Sequence, residues 1–174
     1  MNKLILDSEP EAVEYVKWSS SYSVGIKLID EQHKGLLQFV NDIFNHATGN
    51  QWEELAFFKD AIRQAATYVK IHFATEERYM KATKYPGYIE HKKEHEAFIV
   101  NVLKSAKDYE AGKRLTLMHF GHYLKDWVLS HIALMDKKYS EYYRGIATRK
   151  ADGKLSITMS DVEEIEELQE IQED

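Results

Sequence analysis

The sequence predicts an all-α fold, an antiparallel up-and-down four-helix bundle with an N-terminal arm and a short acidic C-terminal helix or tail. Four long stretches repeat their apolar residues with the period of an α-helix, and short segments separate them. The 174 residues include only two prolines and eight glycines, so few positions interrupt these stretches. A chain of this length suits a single domain with a sizeable core.

The N-terminal extension, residues 1–17, contains Ser8-Glu9-Pro10-Glu11, which has the spacing of a capping box. This motif predicts a short helical turn that runs through Val16. Residues 18–29 are predicted to form an irregular arm, because several serines and a glycine break up the apolar positions there.

The four long helices belong to a bundle predicted over residues 18–145. Their predicted bounds are about residues 30–47, 52–82, 88–111 and 115–144. Asp30 is a good N-cap for the first helix. Pro86-Gly87 marks the turn after the second helix, and Gly112 and Gly145 follow the predicted ends of the third and fourth helices.

The last segment, residues 146–174, is an acidic tail with its own helical signal. Ser160-Asp161-Val162-Glu163 is another capping box. Apolar residues recur every third position at Val162, Ile165, Leu168 and Ile171. The pattern is compatible with a marginal acidic helix that lies on the body or frays, with a helix that docks on a protein partner, or with plain disorder.

Composition narrows the possible functions. The tail accounts for the whole net charge of −6, so the remaining body is neutral and gives no electrostatic reason to expect nucleic acid or an anionic membrane as partner. No apolar run approaches the roughly 18 residues of a membrane span, and no signal-peptide core follows the first methionine. We therefore expect a cytoplasmic protein. Because the chain has no cysteine, any metal must be bound through nitrogen and oxygen.

Candidate metal ligands occur on all four predicted helices. They are His33, His72, Glu76, His91, His95, His131 and Asp136. His72 and Glu76 are four residues apart, as are His91 and His95, so each pair projects from one helical face towards a common point. His131 and Asp136 are five apart, about 140° around an α-helix, and we expect this aspartate to approach from another side than the imidazole.

The joint pattern is more specific than any of its parts. An isolated pair of histidines on a helix is more often accidental than a metal site, but several of these imidazoles fall in or beside apolar stripes, where each would need a partner. The other histidines, His46, His119 and His122, fall on different helical faces and are excluded from the site.

The motifs that carry these residues resemble the hemerythrin family, in its bacterial branch. The resemblance covers about residues 18–143. The matching segments are Trp18 with Tyr22, Val24-Gly25-Ile26, Ile29-Asp30-Glu31-Gln32-His33-Lys34, His72-Phe73-Ala74-Thr75-Glu76-Glu77, His91-Lys92-Lys93-Glu94-His95, and Trp127-Val128-Leu129-Ser130-His131-Ile132 through Asp136.

The resemblance implies a ligand set for two non-haem iron ions. His91, His95 and His131 would hold one iron and His33 with His72 the other, while Glu76 and Asp136, together with an oxo or hydroxo group, would bridge them. If both ions are octahedral, these ligands leave a single open position, on the iron with fewer histidines. The resemblance assigns dioxygen to such a position.

An apolar pocket for dioxygen is expected around the ligands. The candidate residues are Val128, Trp127, Ile29 and Leu36. Val128 lies three residues before His131, where related proteins usually have the bulkier leucine, and we hypothesise that valine enlarges the pocket and speeds autoxidation. Glu77, Glu94, Tyr68 and Tyr139 lie within a turn of ligands, and the sequence does not choose which of them accepts or donates a hydrogen bond there.

The sequence is compatible with three functions. The first is a dioxygen carrier, store or delivery protein, which is not an enzyme. The second is an oxygen or redox sensor that acts through a separate protein partner of the arm or the acidic tail. The third is a di-iron oxidase, peroxidase or nitric-oxide scavenger. Oxygen-activating bundles favour carboxylate ligands, so an excess of histidine over carboxylate argues against the third class.

Overall fold

The computed structural model describes residues 12–111 and 116–151. In these ranges the chain is helical, without β-strands, and forms a four-helix bundle, as predicted. The helices are α1 (Lys27–His46), α2 (Gln51–Ala82), α3 (Tyr88–Glu110), α4 (Leu117–His131) and α5 (Lys137–Ala151), with a 3₁₀ turn at Ser20–Tyr22 and a π-helical turn at Ile132–Asp136. The π turn joins α4 to α5, so that these three segments make up the fourth rod of the bundle.

α1 packs against both α2 and α4, and α2 packs against α3. Two apolar clusters fill the interior. The larger contains Leu37, Phe73 and Phe120, and the smaller surrounds Ile29 and Tyr139. On α1, Ile29 lies one turn before His33 and belongs to the smaller cluster, whereas Leu36 lies one turn after it and belongs to the larger. The candidate ligands therefore lie where the two clusters meet.

The first helix starts earlier than predicted. Ile26, not Asp30, is the N-cap of α1, and Asp30 lies within the first turn. Its carboxylate instead accepts hydrogen bonds from the Ser23 hydroxyl at 2.6 Å and the Val24 backbone N–H at 2.7 Å. The prediction was wrong because a capping side chain can serve the loop before a helix as well as its end, and burial of Ile26 and Ile29 extends the helix backwards.

The described part of the N-terminal extension packs on α1 without forming a helix, so the predicted helical turn through Val16 is wrong over residues 12–16. The Val16 backbone N–H donates to Asn41 Oδ1 at 2.8 Å, and Asn41 Nδ2 donates to the Val16 carbonyl at 2.9 Å. Asn45 pairs with the Val13 backbone in the same way. These amide pairs satisfy the extended segment's backbone, which removes the advantage of helix. The capping box at Ser8 lies outside the described residues.

The middle helices begin and end close to the predicted positions. Asn50 is the N-cap of α2, with its side chain accepting a hydrogen bond from the Trp52 backbone N–H. Thr116 caps α4 in the same manner. The predicted end at Gly145 is wrong, because α5 continues through Gly145 to Ala151 and buries Ile146. A glycine costs a helix only about 1 kcal/mol, which the burial of an apolar residue beyond it can offset.

The π turn changes the direction in which Asp136 points. In this turn the Lys137 backbone N–H donates to the Ile132 carbonyl, five residues earlier. Residues five apart are then stacked about one turn from each other, so His131 and Asp136 face the same interior space. The expectation that they approach from different sides is wrong, because it assumed α-helical geometry throughout. Within the described residues, no helix is long and apolar enough to cross a membrane.

Candidate metal centre

All seven predicted ligands are buried at the middle of the bundle, each no more than 5% exposed. His33 comes from α1, His72 and Glu76 from α2, His91 and His95 from α3, and His131 and Asp136 from the fourth rod. Their donor atoms form two overlapping groups. One is Glu76, His91, His95 and His131, and the other is His33, His72, Glu76 and Asp136.

Three imidazoles converge on one point. His131 Nε2 lies 3.1 Å from His95 Nε2 and 3.0 Å from His91 Nε2. Neighbouring ligands about 2.1 Å from an ion would be separated by about 3.0 Å at octahedral angles and about 3.4 Å at tetrahedral angles. The observed spacing therefore suits three ligands of an octahedral ion.

The two carboxylates lie between the histidine groups. Asp136 Oδ1 is 3.2 Å from His91 Nε2 and 3.3 Å from His131 Nε2, while its Oδ2 is 3.2 Å from His33 Nε2. Glu76 Oε2 is 3.1 Å from His95 Nε2, and Oε1 is 3.8 Å from His33 Nε2. In each carboxylate, one oxygen is the nearer to His33 and the other is the nearer to the three-histidine group, which is the arrangement a bridging ligand needs.

His33 and His72 form the second group, with their ring centroids 5.0 Å apart. His72 Nε2 lies 3.8 Å from Glu76 Oε2. On its other side, His72 Nδ1 lies 3.1 Å from the Gln32 side-chain oxygen, which fixes Nδ1–H as the donor and leaves Nε2 free to bind an ion. Gln32 is held in turn, because its amide donates to Thr75 Oγ1 at 3.2 Å and Tyr68 donates its hydroxyl to the Gln32 carbonyl at 2.7 Å.

Many polar atoms of the site have no hydrogen-bond partner and are placed to bind metal ions instead. Both carboxylate oxygens of Glu76 and of Asp136 and both ring nitrogens of His33 are buried without a hydrogen-bond partner. Leaving so many buried polar atoms unpaired is costly unless an ion satisfies them. Nitrogen and oxygen donors in this number suit a pair of octahedral transition-metal ions.

Comparison with known proteins agrees with this geometry. Residues 24–143 match the family model described as the hemerythrin HHE cation binding domain. The chain belongs to the hemerythrin family. It is 33% identical over 123 residues to a myohemerythrin of Sipunculus nudus, covering 70% of this chain and 88% of that protein. It is 30% identical over 130 residues to bacteriohemerythrin of Pseudomonas aeruginosa, covering 75% of this chain and 82% of that protein.

Solved structures lead to the same family. The structure of a wild-type hemerythrin superposes with a TM-score of 0.63 at 27% identity, covering 73% of this chain and 96% of that chain. A structure of a hemerythrin variant with one substituted residue gives a TM-score of 0.65 at 26% identity, covering 75% of this chain and 98% of that chain. The shared part is the bundle.

Burial and the two carboxylates set opposite pKa shifts within the hemerythrin site. Burial lowers the pKa of His33 and His91, but attraction to the carboxylates of Asp136 and Glu76, 3.2 to 3.8 Å away, outweighs it and raises both pKa values to about 9. Burial lowers the pKa of His72 and His131 to about 4, since the carboxylates compensate less there. Burial alone would raise the pKa of Glu76, yet the surrounding imidazoles hold it well below its usual value. A metal-free site therefore retains protons on His33 and His91, which a metal ion would displace.

Aromatic rings hold two of the histidines in place. Phe73 stacks on His95 with a centroid distance of 3.7 Å and an angle of 3° between the planes. Trp127 stacks on His131 at 4.4 Å and 15°. Such stacking restricts rotation of the imidazoles and so preserves the direction of their nitrogens.

Three of the four residues predicted to line an oxygen pocket lie together. Val128 and Leu36 are buried in the larger apolar cluster, and the half-buried Trp127 packs against it. Ile29 is fully buried but belongs to the smaller cluster, on the other side of the ligands. Their role in binding dioxygen stays a prediction.

The excluded histidines lie apart from the site. His46, His119 and His122 are exposed, and His46 stacks on Phe57 at 3.8 Å. Among the four candidate hydrogen-bond partners, Glu77 approaches a ligand directly, with Oε1 3.6 Å from His95 Nδ1. Glu94 is exposed.

The two tyrosines among those candidates have other surroundings. Tyr68 reaches the site only through the Gln32 backbone. The Tyr139 hydroxyl is buried without a partner, and burial together with nearby Glu76 raises its pKa.

Sequence reasoning missed Gln32 and Phe73 as supports of the ligands. Each of them is adjacent in sequence to a ligand, which is the one signal that could have directed attention to them. Their roles depend on contacts between helices: Gln32 on α1 reaches His72 on α2, and Phe73 on α2 reaches His95 on α3. A single sequence gives no direct information about such contacts.

Proposed function

We propose that this protein is a non-haem di-iron protein that binds dioxygen reversibly, as a carrier, store or delivery protein, and is not an enzyme. The observation that carries the proposal is the unequal division of ligands around two shared carboxylates. His91, His95 and His131 serve one side, and only His33 and His72 serve the other. With equal sharing of Glu76 and Asp136, the second ion has one ligand fewer from the protein.

The side chains of the site would hold the ions and protect what binds to them. Bound iron would supply the electrons for reversible dioxygen binding. His33, His72 and the two carboxylates would position one ion, and the histidines would bind only in their neutral form, with Gln32 keeping the proton of His72 on Nδ1. Val128 and Leu36 keep apolar surface next to the ligands, which limits the water and protons that promote loss of a bound oxygen species.

The donor set also favours binding over oxygenase chemistry. An ion with one available position can accept a diatomic ligand, but it cannot hold a substrate and an oxidant together. Imidazole ligands outnumber carboxylates in both donor groups taken together. This composition differs from that of the carboxylate-rich di-iron bundles, which pair Glu with Glu-x-x-His motifs.

The test is anaerobic reconstitution with ferrous iron followed by cycles of air and argon. We expect about two irons per chain and a visible charge-transfer band that appears in air and disappears under argon over repeated cycles. His46→Ala, which removes an exposed histidine, is the matched control and should behave as the unmodified chain. Irreversible conversion to an oxidised spectrum in the first cycle would contradict a carrier and favour a sensor or an oxidase.

A further inference from the structure

A long apolar groove runs along the outer surface between α2 and α3. It encloses a volume of about 370 Å³. Its walls are apolar side chains of both helices, including Ile62, Ala65, Val69, Ile99, Val102 and Leu103. Alanines on α2 leave the groove wide, and Ile99 and Leu103 remain 40% and 50% exposed. We call this surface the α2–α3 groove.

The groove also reaches the ligands, since Phe73 and His95 form part of its lining. A continuous exposed apolar surface of this kind usually marks a binding surface. No other described segment of the chain covers it, so its occupant must come from the undescribed residues or from another molecule.

The charges around the groove favour an acidic occupant. Its two acidic lining residues, Glu77 and Glu96, both lie within 3.8 Å of Lys92 Nζ. Lys70 also lines the groove, and Lys104 is adjacent to the lining residue Leu103. Both lysines are exposed and form no ion pair with any described residue. The groove is thus apolar along its length and has uncompensated positive charge beside it.

We propose that residues 161–171 of the acidic tail lie along the α2–α3 groove and cover it. Residues 152–174 contain nine acidic residues and one lysine. Three of their apolar positions, Val162, Ile165 and Leu168, would lie within about 120° of one another on an α-helix and form an apolar strip, with the flanking glutamates near Lys70 and Lys104. The tail therefore combines the apolar side chains and the negative charge that complement the groove.

The tail is long enough to reach the groove. Tyr142 of α5 donates its hydroxyl to the Lys84 carbonyl, so the middle of α5 lies beside the turn that joins α2 to α3. From there α5 extends about 14 Å to Ala151, and the groove residue His95 lies about 10 Å along α3 from its start. The nine residues from 152 to 160 can span about 30 Å when extended, which exceeds the total of these two distances, about 24 Å.

Docking of the tail there would bury the side chains of Ile99 and Leu103, which are 40% and 50% exposed in its absence.

The test uses the absence of cysteine in the natural chain. Gln169→Cys in the tail is combined with Leu103→Cys in the groove or, as the matched control, with Leu134→Cys, an exposed leucine on the fourth rod. A short bismaleimide cross-linker is added to the iron-loaded protein, and equal parts of ¹⁵N-labelled and unlabelled chain distinguish links within a chain from links between chains. Along the bundle Leu134 lies nearer than Leu103 to the end of α5, so a freely moving tail would reach Leu134 at least as readily as Leu103.

We expect the link to position 103 to form within one chain and at least about 10-fold faster than the link to position 134, because docking raises the effective concentration. Ile165→Asp should abolish this preference without affecting the bundle. Equal rates at the two positions would overturn the proposal. Links that join two chains would also overturn it, and would assign the groove to a second copy of the protein.

Discussion

The two halves of the hemerythrin site differ in how firmly the protein holds their ligands. In the three-histidine half, the ring nitrogens of His131 lie 3.0 and 3.1 Å from those of His91 and His95, and Phe73 and Trp127 stack on the imidazoles. In the two-histidine half, His33 Nε2 lies 3.2 Å from Asp136 Oδ2, but His72 Nε2 lies 3.8 Å from Glu76 Oε2. There, a hydrogen bond from His72 Nδ1–H to the Gln32 side-chain oxygen replaces the stacking.

The difference suggests separate tasks for the two halves. Rings that are packed face to face lose little further freedom when an ion binds, so the three-histidine half is close to its binding geometry already. The two-histidine half has one histidine fewer, so under the proposed function its ion would be the one that accepts and releases an exogenous molecule. The following experiments test this comparison.

Glu76→Ala should have the largest effect, because Glu76 belongs to both donor groups and lies within 3.8 Å of His33, His72, His91 and His95. We expect loss of both irons, with affinity falling by more than the roughly 10–100-fold typical of changes one step outside the ligands. Iron per chain, measured after anaerobic loading and gel filtration, checks this. A Glu76→Ala protein that keeps its full iron content would contradict a bridging role.

His33→Ala and His95→Ala should separate the halves. His33→Ala is expected to keep about one iron per chain, since the three-histidine half retains all its imidazoles. His95→Ala should weaken the firmly held ion and leave the chain with less iron than His33→Ala under the same chelator. The opposite order of iron retention would show that the two-histidine half binds more tightly.

Gln32→Leu should weaken the two-histidine half alone. Losing the partner of His72 Nδ1 removes the constraint on its tautomer and is expected to cost about 10–100-fold in affinity for one of the two irons. Gln38→Leu on the same helix is the control, because Gln38 bonds only to the exposed carboxylate of Asp42. Competition with a chelator at increasing concentration measures the iron affinity of both variants. Equal losses of affinity in Gln32→Leu and Gln38→Leu would show that Gln32 has no specific role in holding His72.

Metal-free protein should be most stable near pH 6.5. His33 and His91 have pKa values raised from 6.5 to about 9, so their stabilisation is complete below 6.5 and is lost as the pH rises towards 9. His72 and His131 have pKa values lowered to about 4, so below pH 6.5 the unfolded chain takes up protons that these buried rings do not. The stability linked to these two groups is therefore complete above pH 6.5 and is lost as the pH falls towards 4. Urea midpoints across this range, with a chelator present, test the expectation. Iron-loaded protein should lack the loss on the alkaline side.

Val128→Leu should have the smallest effect, a few-fold slower autoxidation. Val128 is buried in the same apolar cluster as Leu36, one turn from His33, and a larger side chain there would reduce the space beside the two-histidine half. Val40→Leu, another buried valine of that cluster, is the control for a general change in packing. Autoxidation is followed by loss of the oxygenated spectrum. An unchanged or faster rate in Val128→Leu would contradict the pocket hypothesis.

The sequence predicted the bundle and brought all seven candidate ligands to notice, because the spacing of His72 with Glu76 and of His91 with His95 follows from regular α-helix. It failed where local geometry departs from that regularity. The direction of Asp136 depends on a π turn, and the start of α1 depends on the burial of Ile26. The role of Gln32 depends on its contact with His72, which lies on another helix. Apolar periodicity predicts a regular helix, but it does not predict a local departure such as the π turn or a contact between two helices.

The π turn at Ile132–Asp136 has a consequence for how this helix can change over evolution. Its five residues take the place that four would take in an α-helix, so removing one of them would leave Asp136 and the residues after it on nearly the same face. Changing the turn to α-helix without a deletion would rotate everything downstream by about 100°, so that Asp136 would leave the ligand set and Tyr139 and Ile146 would leave the interior. The bridging acid and the packing of the terminal helix therefore share one condition: the chain must keep the extra residue in a π turn or lose that residue altogether.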